Sequence, residues 1–205
     1  MKETSKCHSR RLQEGHFDRY LIGTGIDIGC GDDPLRPPAG DLRTWDWADG
    51  DAQAMAGLPD QAFDFVYSSH CLEHLHDVDC GLRNWSRLLK PGGWLYVVVP
   101  DYCLYEHLAW PSYFNGDHKA TFSLDIPREK VRRPNHWHIH NDLVPLVEAL
   151  GMRVELVRLE DEGYDYSAGV TDQTLGDALA QICAIFQRGT SRAAAAGAPG
   201  SALAS

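Results

Sequence analysis

The sequence predicts an α/β fold in three layers, a mostly parallel sheet covered by helices on both faces. Three observations predict it. Short apolar runs alternate with helical stretches between residues 20 and 190, the pattern of strands joined by crossovers. The first run, Gly25-Ile-Asp-Ile-Gly29, enters a glycine turn. A helical stretch beginning near Val78 stops at the breaker Lys90-Pro91-Gly92-Gly93 and gives way to the run Trp94–Val99.

Taken in order, Leu12, His16, Phe17 and Tyr20 have helix-compatible spacing and predict a short leading helix. Gly25–Gly29 reads as a buried strand and Leu42–Asp46 as a weaker second one. Phe63–Tyr67 and Trp94–Val99 are rich in β-branched and aromatic residues, which fit a pleated surface. Between them Val78, Leu82, Trp85 and Leu89 step by four, three and four, onto one helix face. Asn141 is the expected cap of a helix whose apolar face is Leu143, Val147 and Leu150 and which Gly151 ends. Pro145 is tolerated there because N–H groups of a first turn have no helical partner. Val154–Leu159 and Ala180–Phe186 close the sheet. Residues 1–190 thus read as one domain without internal repeats. Residues 191–205, with seven alanines and no aromatics, read as a disordered tail.

Composition narrows the function. The 205 residues carry 19 basic and 29 acidic side chains, a net charge of −10, which argues against nucleic acid or an anionic membrane as partner. Six scattered cysteines without a C-x-x-C pair do not form a disulfide framework. The polar N-terminus lacks a signal-peptide core, and Trp94–Val99, the longest apolar run, is far too short to span a bilayer. A cytoplasmic location is expected.

In such a sheet ligands bind at the carboxyl ends of the strands, first at the loop after strand one, here Gly29-Cys30-Gly31-Asp32-Asp33-Pro34. Glycines let a ligand approach the backbone, although any tight turn also uses them. The acids decide the ligand. A dinucleotide puts its pyrophosphate on the next helix N-terminus and needs a third small residue, G-x-G-x-x-G. This loop has Pro34 at the sixth position, ringed by Asp27, Asp33, Asp46 and Asp51. That negative charge repels a pyrophosphate and suits a cationic cofactor. S-adenosylmethionine carries a sulfonium, an ammonium and ribose hydroxyls, and a carboxylate ending strand two can accept both hydroxyls.

Four stretches in this order resemble the class I S-adenosylmethionine-dependent methyltransferases of the type 11 group: residues 25–31 (GIDIGCG), 50–52 (GDA), 63–75 (FDFVYSSHCLEHL) and 88–95 (LLKPGGWL). The resemblance implies a Rossmann-like sandwich with a seven-stranded sheet, and S-adenosylmethionine as cofactor. It puts Asp27, Gly29 and Gly31 at the methionine end, Asp46 on the ribose, Asp51 and Ala52 at the adenine, and Ser68 near the sulfonium, with Cys30 and Trp47 as further cofactor-binding residues. Two departures stand out. Asp33 replaces the family's third glycine and is expected to cap Pro34, and Pro34, Pro37 and Pro38 shorten the first crossover to a loop with at most one turn.

Eight of the ten histidines fall between residues 70 and 140. His70 ends the strand 63–67, where a base would take the proton of a hydroxyl nucleophile; the plainer reading is that it starts a helix and packs there. His70-Cys-Leu-Glu73-His74 also fits H-x-x-E-H, so a zinc hydrolase using these three residues is the rival reading. It lacks a distinctive third ligand, and the motif follows a strand directly. His74 reads as structural and His76 beside Asp77 as a surface cap. Residues 101–140 form an expected substrate lid, with seven aromatics and five histidines; aromatics equally supply such a lid with its own core. His118 and His136 follow His70 as candidate bases. His136, His138 and His140 alternate, so an extended segment would put them on one face. Three imidazoles there, with His118, are a metal possibility, but no metal ligand set is assigned. The run Arg128, Lys130, Arg132, Arg133 suits a substrate phosphate or, more plainly, a solvated face.

The expected activity is therefore methyl transfer to a small-molecule acceptor, an oxygen nucleophile on a saccharide or secondary metabolite. The third possibility is a non-catalytic cofactor-binding subunit that needs a partner, motivated by the short crossover and Asp33.

Overall fold

The computed structural model describes residues 2–131 and 135–190. The expected tail at 191–205 and Arg132 and Arg133 of the basic run lie outside the described residues. Three short helices lead the chain, α1 (Glu3–Lys6), α2 (His8–Gln13) and α3 (His16–Arg19), where one was expected. Gly15 separates α2 from α3 with φ +72°, a left-handed turn that glycine enters without penalty. His16, Phe17 and Tyr20 are buried as their spacing implied, whereas Leu12 is exposed.

Six strands form the main sheet: β1 (Thr24–Ile28), β2 (Asp41–Trp45), β3 (Phe63–Ser69), β4 (Leu89–Pro100), β7 (Met152–Glu160) and β8 (Gln181–Arg188). Their order is β2-β1-β3-β4-β8-β7. The pairs β1–β2, β1–β3 and β3–β4 are parallel, and β8 runs antiparallel between β4 and β7. The mixed α/β architecture with a parallel-dominated sheet is thus present, but the main sheet has six strands among the described residues, not seven. The stretch between β2 and β3 forms no strand. Met55 and Gly57 take positive φ and Pro59 follows, so the segment runs as turns that bury Met55 and Leu58 in the core.

Alternation along the strands sends side chains into two layers. Ile26, Ile28, Val66, Leu95, Val97 and Val99 pack on one face with Leu82 and Trp85 of α4 (Val78–Leu88) and Val147 of α5 (Val144–Ala149). Phe65, Tyr67, Tyr96, Val98 and Ile185 pack on the other with Phe17, Tyr20, Leu21 and Leu35. The Asp77 carboxylate caps α4 by accepting the Cys80 N–H at 2.9 Å, which puts the cap on Asp77 and not on His76. Leu89 begins β4 instead of ending α4. The later helix also starts differently from expectation. Residues Ile139–Leu143 make one π-type turn, and the His138 ring, not Asn141, caps it by accepting the Asn141 N–H at 3.2 Å.

No helix lies between β1 and β2, as the three prolines required. Asp33 therefore caps nothing there; its carboxylate accepts the Ser5 N–H at 2.9 Å and ties α1 to the loop. Within 101–140, two short parallel strands, β5 (Thr121–Ser123) and β6 (His136–His138), pair outside the main sheet. His136 and His138 are buried in β6, but His140 is exposed in the π turn, so the three histidines do not share a face. Among the described residues no helix is long and apolar enough to cross a membrane.

Candidate functional site

The carboxyl ends of β1 and β3 meet at a cavity of about 160 Å³. Its lining includes Gly29, Cys30, Gly31, Asp32 and Asp33 from the glycine turn, and Ser69, His70, Glu73 and His74 from the end of β3. Asn115 and His118 close it from the insertion, and Glu3 and Thr4 of α1 cover it. A larger cavity of about 680 Å³ lies beyond α1, lined by Lys2, Ser5, Lys6, Tyr105, Phe114, Asn115 and residues 172 and 174–177. Asn115 belongs to both linings, and α1 stands between the two spaces.

The glycine turn is shaped by its own sequence. Gly29 has φ +74° and lies against Cys71, whose Cβ would be 2.4 Å from an added methyl group, so only glycine fits. Gly31 has φ +50° with open space above it. Asp27 is 1% exposed; its carboxylate accepts the Leu35 N–H at 2.7 Å, and burial pushes its pKa up to about 7. Burial also raises the Cys30 thiol to about 11, with Asp27 adding to the effect, so Cys30 is no thiolate nucleophile.

Asp46, one residue past β2, turns its carboxylate onto the Trp47 N–H at 2.8 Å, and Trp47 itself is 90% exposed. Asp51 accepts the Gln53 N–H at 2.8 Å. The Trp85 indole of α4 donates to the Ala52 carbonyl at 2.8 Å, which anchors this loop to the core. Asp46, Trp47, Asp51 and Ala52 follow β2 at its carboxyl end but are not in the lining of the smaller cavity. Ser68 is not in it either: it is fully buried and donates to the Ile28 carbonyl at 3.0 Å. Strand alternation turns its neighbour Ser69 toward the cavity instead, a residue the sequence reading missed.

His70 leaves β3 with φ +55°, an uncommon conformation for a side chain-bearing residue. Its Nε2–H donates to Gln181 Oε1 at 3.0 Å, and its Nδ1 lies 3.5 Å from Glu73 Oε1. Glu73 is fully buried in a single 3₁₀ turn, Leu72–His74. Burial favours its neutral form, but the His70, His74 and His118 rings outweigh that and hold its pKa down; the same contact outweighs burial at His70 and raises it. The Glu73 carbonyl accepts the N–H groups of Lys119 and Ala120 at 2.7 and 2.9 Å, which brings His118 alongside.

The structure thus brings His70 and His118 to one cavity and leaves His136 out of it. His136 has no exposure, and its ring is bonded on both sides: Nδ1 to Thr121 Oγ1 at 2.9 Å, Nε2 to Ser123 Oγ at 3.0 Å and to the Ile126 carbonyl at 3.1 Å. The expectation of a base there is corrected; His136 braces the β5–β6 pair. Arg128, in the basic run, lies over the Trp137 ring at 5.9 Å. Glu3, Thr4 and Asn115 were also missed, and nothing in a polar N-terminus announces that Glu3 and Thr4 fold over a distant glycine turn.

The donor set fits the cofactor that the resemblance implies. Carboxylates dominate the turn and the β2 end, and among the residues lining the smaller cavity there is neither lysine nor arginine to hold a pyrophosphate. A cation with hydroxyl groups is what such a site accepts.

A family model described as a methyltransferase domain, type 11, matches residues 32–97. One curated relative, the uncharacterized protein YafE of Escherichia coli K12, is 51% identical over 39 residues, and the matched part covers only 19% of that relative's length. Solved structures share the fold at low identity. A SAM-dependent methyltransferase from Archaeoglobus fulgidus has a TM-score of 0.53 at 18% identity, over 92% of this chain and 95% of that one. One from Methanosarcina mazei has 0.52 at 15%, over 86% and 98%. A chain of the Haloferax volcanii complex containing the Trm112 methyltransferase activator has 0.53 at 13%, over 91% and 94%.

Proposed function

We propose that this chain, a member of the class I S-adenosylmethionine-dependent methyltransferases of the type 11 group, transfers a methyl group to an oxygen nucleophile on a small molecule such as a saccharide or secondary metabolite. One observation carries the reading: the glycine turn and the His70–Glu73 pair line the same cavity, so a cofactor-holding backbone and a proton acceptor face one space. The bound cofactor supplies an electrophilic methyl group on a sulfonium. Asp27, Gly29, Cys30 and Gly31 would hold its methionine end, and Asp46, Trp47, Asp51 and Ala52 its nucleoside. The protein's own part is alignment and proton handling. His70, with Nε2 on Gln181 and Nδ1 beside Glu73, would take up the acceptor's proton, and Glu73 would steady the imidazolium that forms. The larger cavity, with the Tyr105 and Phe114 rings beside Asn115 and Lys6, suits a polar ring-shaped acceptor.

Calorimetry with S-adenosylmethionine and its demethylated product tests the cofactor half: micromolar binding is expected, at least tenfold weaker in Asp46→Ala. Absence of binding overturns the proposal. Transfer of labelled methyl groups to a panel of hydroxylated acceptors tests the rest. A partner-dependent reading has its own support in the exposed edge strand β2 and the 90% exposed Trp47 beside it. Tight cofactor binding without transfer to any acceptor would favour it.

A further inference from the structure

Three histidines surround Glu73, and each has its outward nitrogen committed to an acceptor. The His118 Nδ1–H donates to Glu106 Oε1 at 2.6 Å, a contact buried on both sides. The His74 Nδ1–H donates to Asp117 Oδ2 at 2.9 Å. The His70 Nε2–H donates to Gln181 Oε1 at 3.0 Å; the Gln181 amide is oriented by its NH₂, which donates to Glu160 at 2.6 Å. With those nitrogens committed, the other ring nitrogens of His74 and His118 are left for a ligand beside Glu73, whose two carboxylate oxygens are buried without a hydrogen-bond partner among the described residues. Buried polar atoms without partners are rare in folded proteins, and a cation held among these groups would satisfy them.

We propose that Glu73, His74 and His118 form a binding site for one divalent first-row transition-metal ion, zinc being the reference ion. One ligand atom from each lies within 4.8 Å of the others, and His74 Nε2 is 4.0 Å from Glu73 Oε1. Tetrahedral zinc with such ligands wants separations of roughly 3.4 Å, a closure that small side-chain rotations supply. Two nitrogens and one carboxylate favour zinc, iron, cobalt or nickel over magnesium and calcium, which take oxygen. Glu106 and Asp117 are positioning residues, holding the tautomers that leave each Nε2 free to bind. The ligand set differs from the sequence motif: His118, which lies 44 positions beyond His74, replaces His70. The site lines the cavity beside the glycine turn, so an ion there would have open positions facing bound molecules.

Zinc and cobalt titrations of the full chain, without cofactor, test this independently of methyl transfer. One ion per chain is expected, with visible cobalt absorption of a low-coordinate nitrogen–oxygen site. Glu73→Gln should weaken zinc binding at least 100-fold and Glu106→Gln by 10- to 100-fold. The exposed His76→Ala should leave it unchanged. Circular dichroism of each variant separates lost binding from lost folding, and Glu106→Gln, which keeps every ligand, serves if Glu73→Gln fails to fold. Absence of submillimolar binding, or affinity unchanged in both Glu73→Gln and Glu106→Gln, overturns the proposal.

Discussion

The Asp27 carboxylate accepts the Leu35 N–H at 2.7 Å, and this bond closes the loop that replaces a crossover helix between β1 and β2. It ties cofactor chemistry to stability. Unfolded, Asp27 loses its proton near 3.8; folded, burial holds it to about 7. Between those values the folded state binds more protons than the unfolded one, so stability falls as pH rises and stays lower above 7. Asp27→Asn keeps an acceptor for Leu35 and removes the charge. We expect it to flatten this part of the stability profile and to stabilise the protein at pH 8, while weakening S-adenosylmethionine binding at least tenfold. Urea unfolding at pH 5 and pH 8, with calorimetry, checks both.

Gly29→Ala should be destabilising. An alanine there carries the left-handed strain of φ +74° and drives its Cβ to within 2.4 Å of the Cys71 side chain. The expected cost is about 2–4 kcal/mol from strain and overpacking together. Gly31→Ala, with the same handedness but open space, should cost only about 1 kcal/mol. Equilibrium unfolding of the pair separates conformational strain from the clash, and equal losses would contradict the packing account.

The Trp85 indole reaches from α4 to the Ala52 carbonyl and so supports the loop carrying Asp51. Trp85→Phe retains most of the buried ring but leaves that carbonyl without its donor, at a cost of about 1–3 kcal/mol. Cofactor affinity should fall severalfold because Asp51 loses its anchor. Calorimetry on the folded variant checks this; unchanged affinity would detach the loop from the site.

Much of this arrangement was legible in the sequence, because strand alternation and the glycine turn are local signals. Gly25–Gly29, Phe63–Tyr67 and the steps Val78, Leu82, Trp85 each specify their own burial, and the prolines at 34, 37 and 38 forbid a helix without help from elsewhere. What was not legible depends on contacts between distant segments. Ser68 and Ser69 are adjacent and chemically alike, and only the register of β3 decides that Ser69 faces the cavity. Glu3 reaches the site through the Ser5–Asp33 bond, across 28 residues. Glu73 meets His118 because its carbonyl pairs with Lys119 and Ala120, a link no spacing rule foresees.

His136 shows how misleading type and position can be together, and it yields the last prediction. A histidine in an aromatic-rich insertion looks like a base, yet its ring joins Thr121, Ser123 and the Ile126 carbonyl within a buried strand pair. His136→Ala should therefore cost about 2–4 kcal/mol, from the cavity it leaves and the hydroxyls it strands. His136→Asn should recover part of that by restoring a donor and an acceptor. At a temperature where both variants are folded, zinc and S-adenosylmethionine affinities should match the unsubstituted protein, because the ring does not line the cavity. His70→Ala should behave in the opposite way, with modest loss of stability and an altered pH profile of methyl transfer. A changed pH profile in His136→Asn would return that residue to the chemistry.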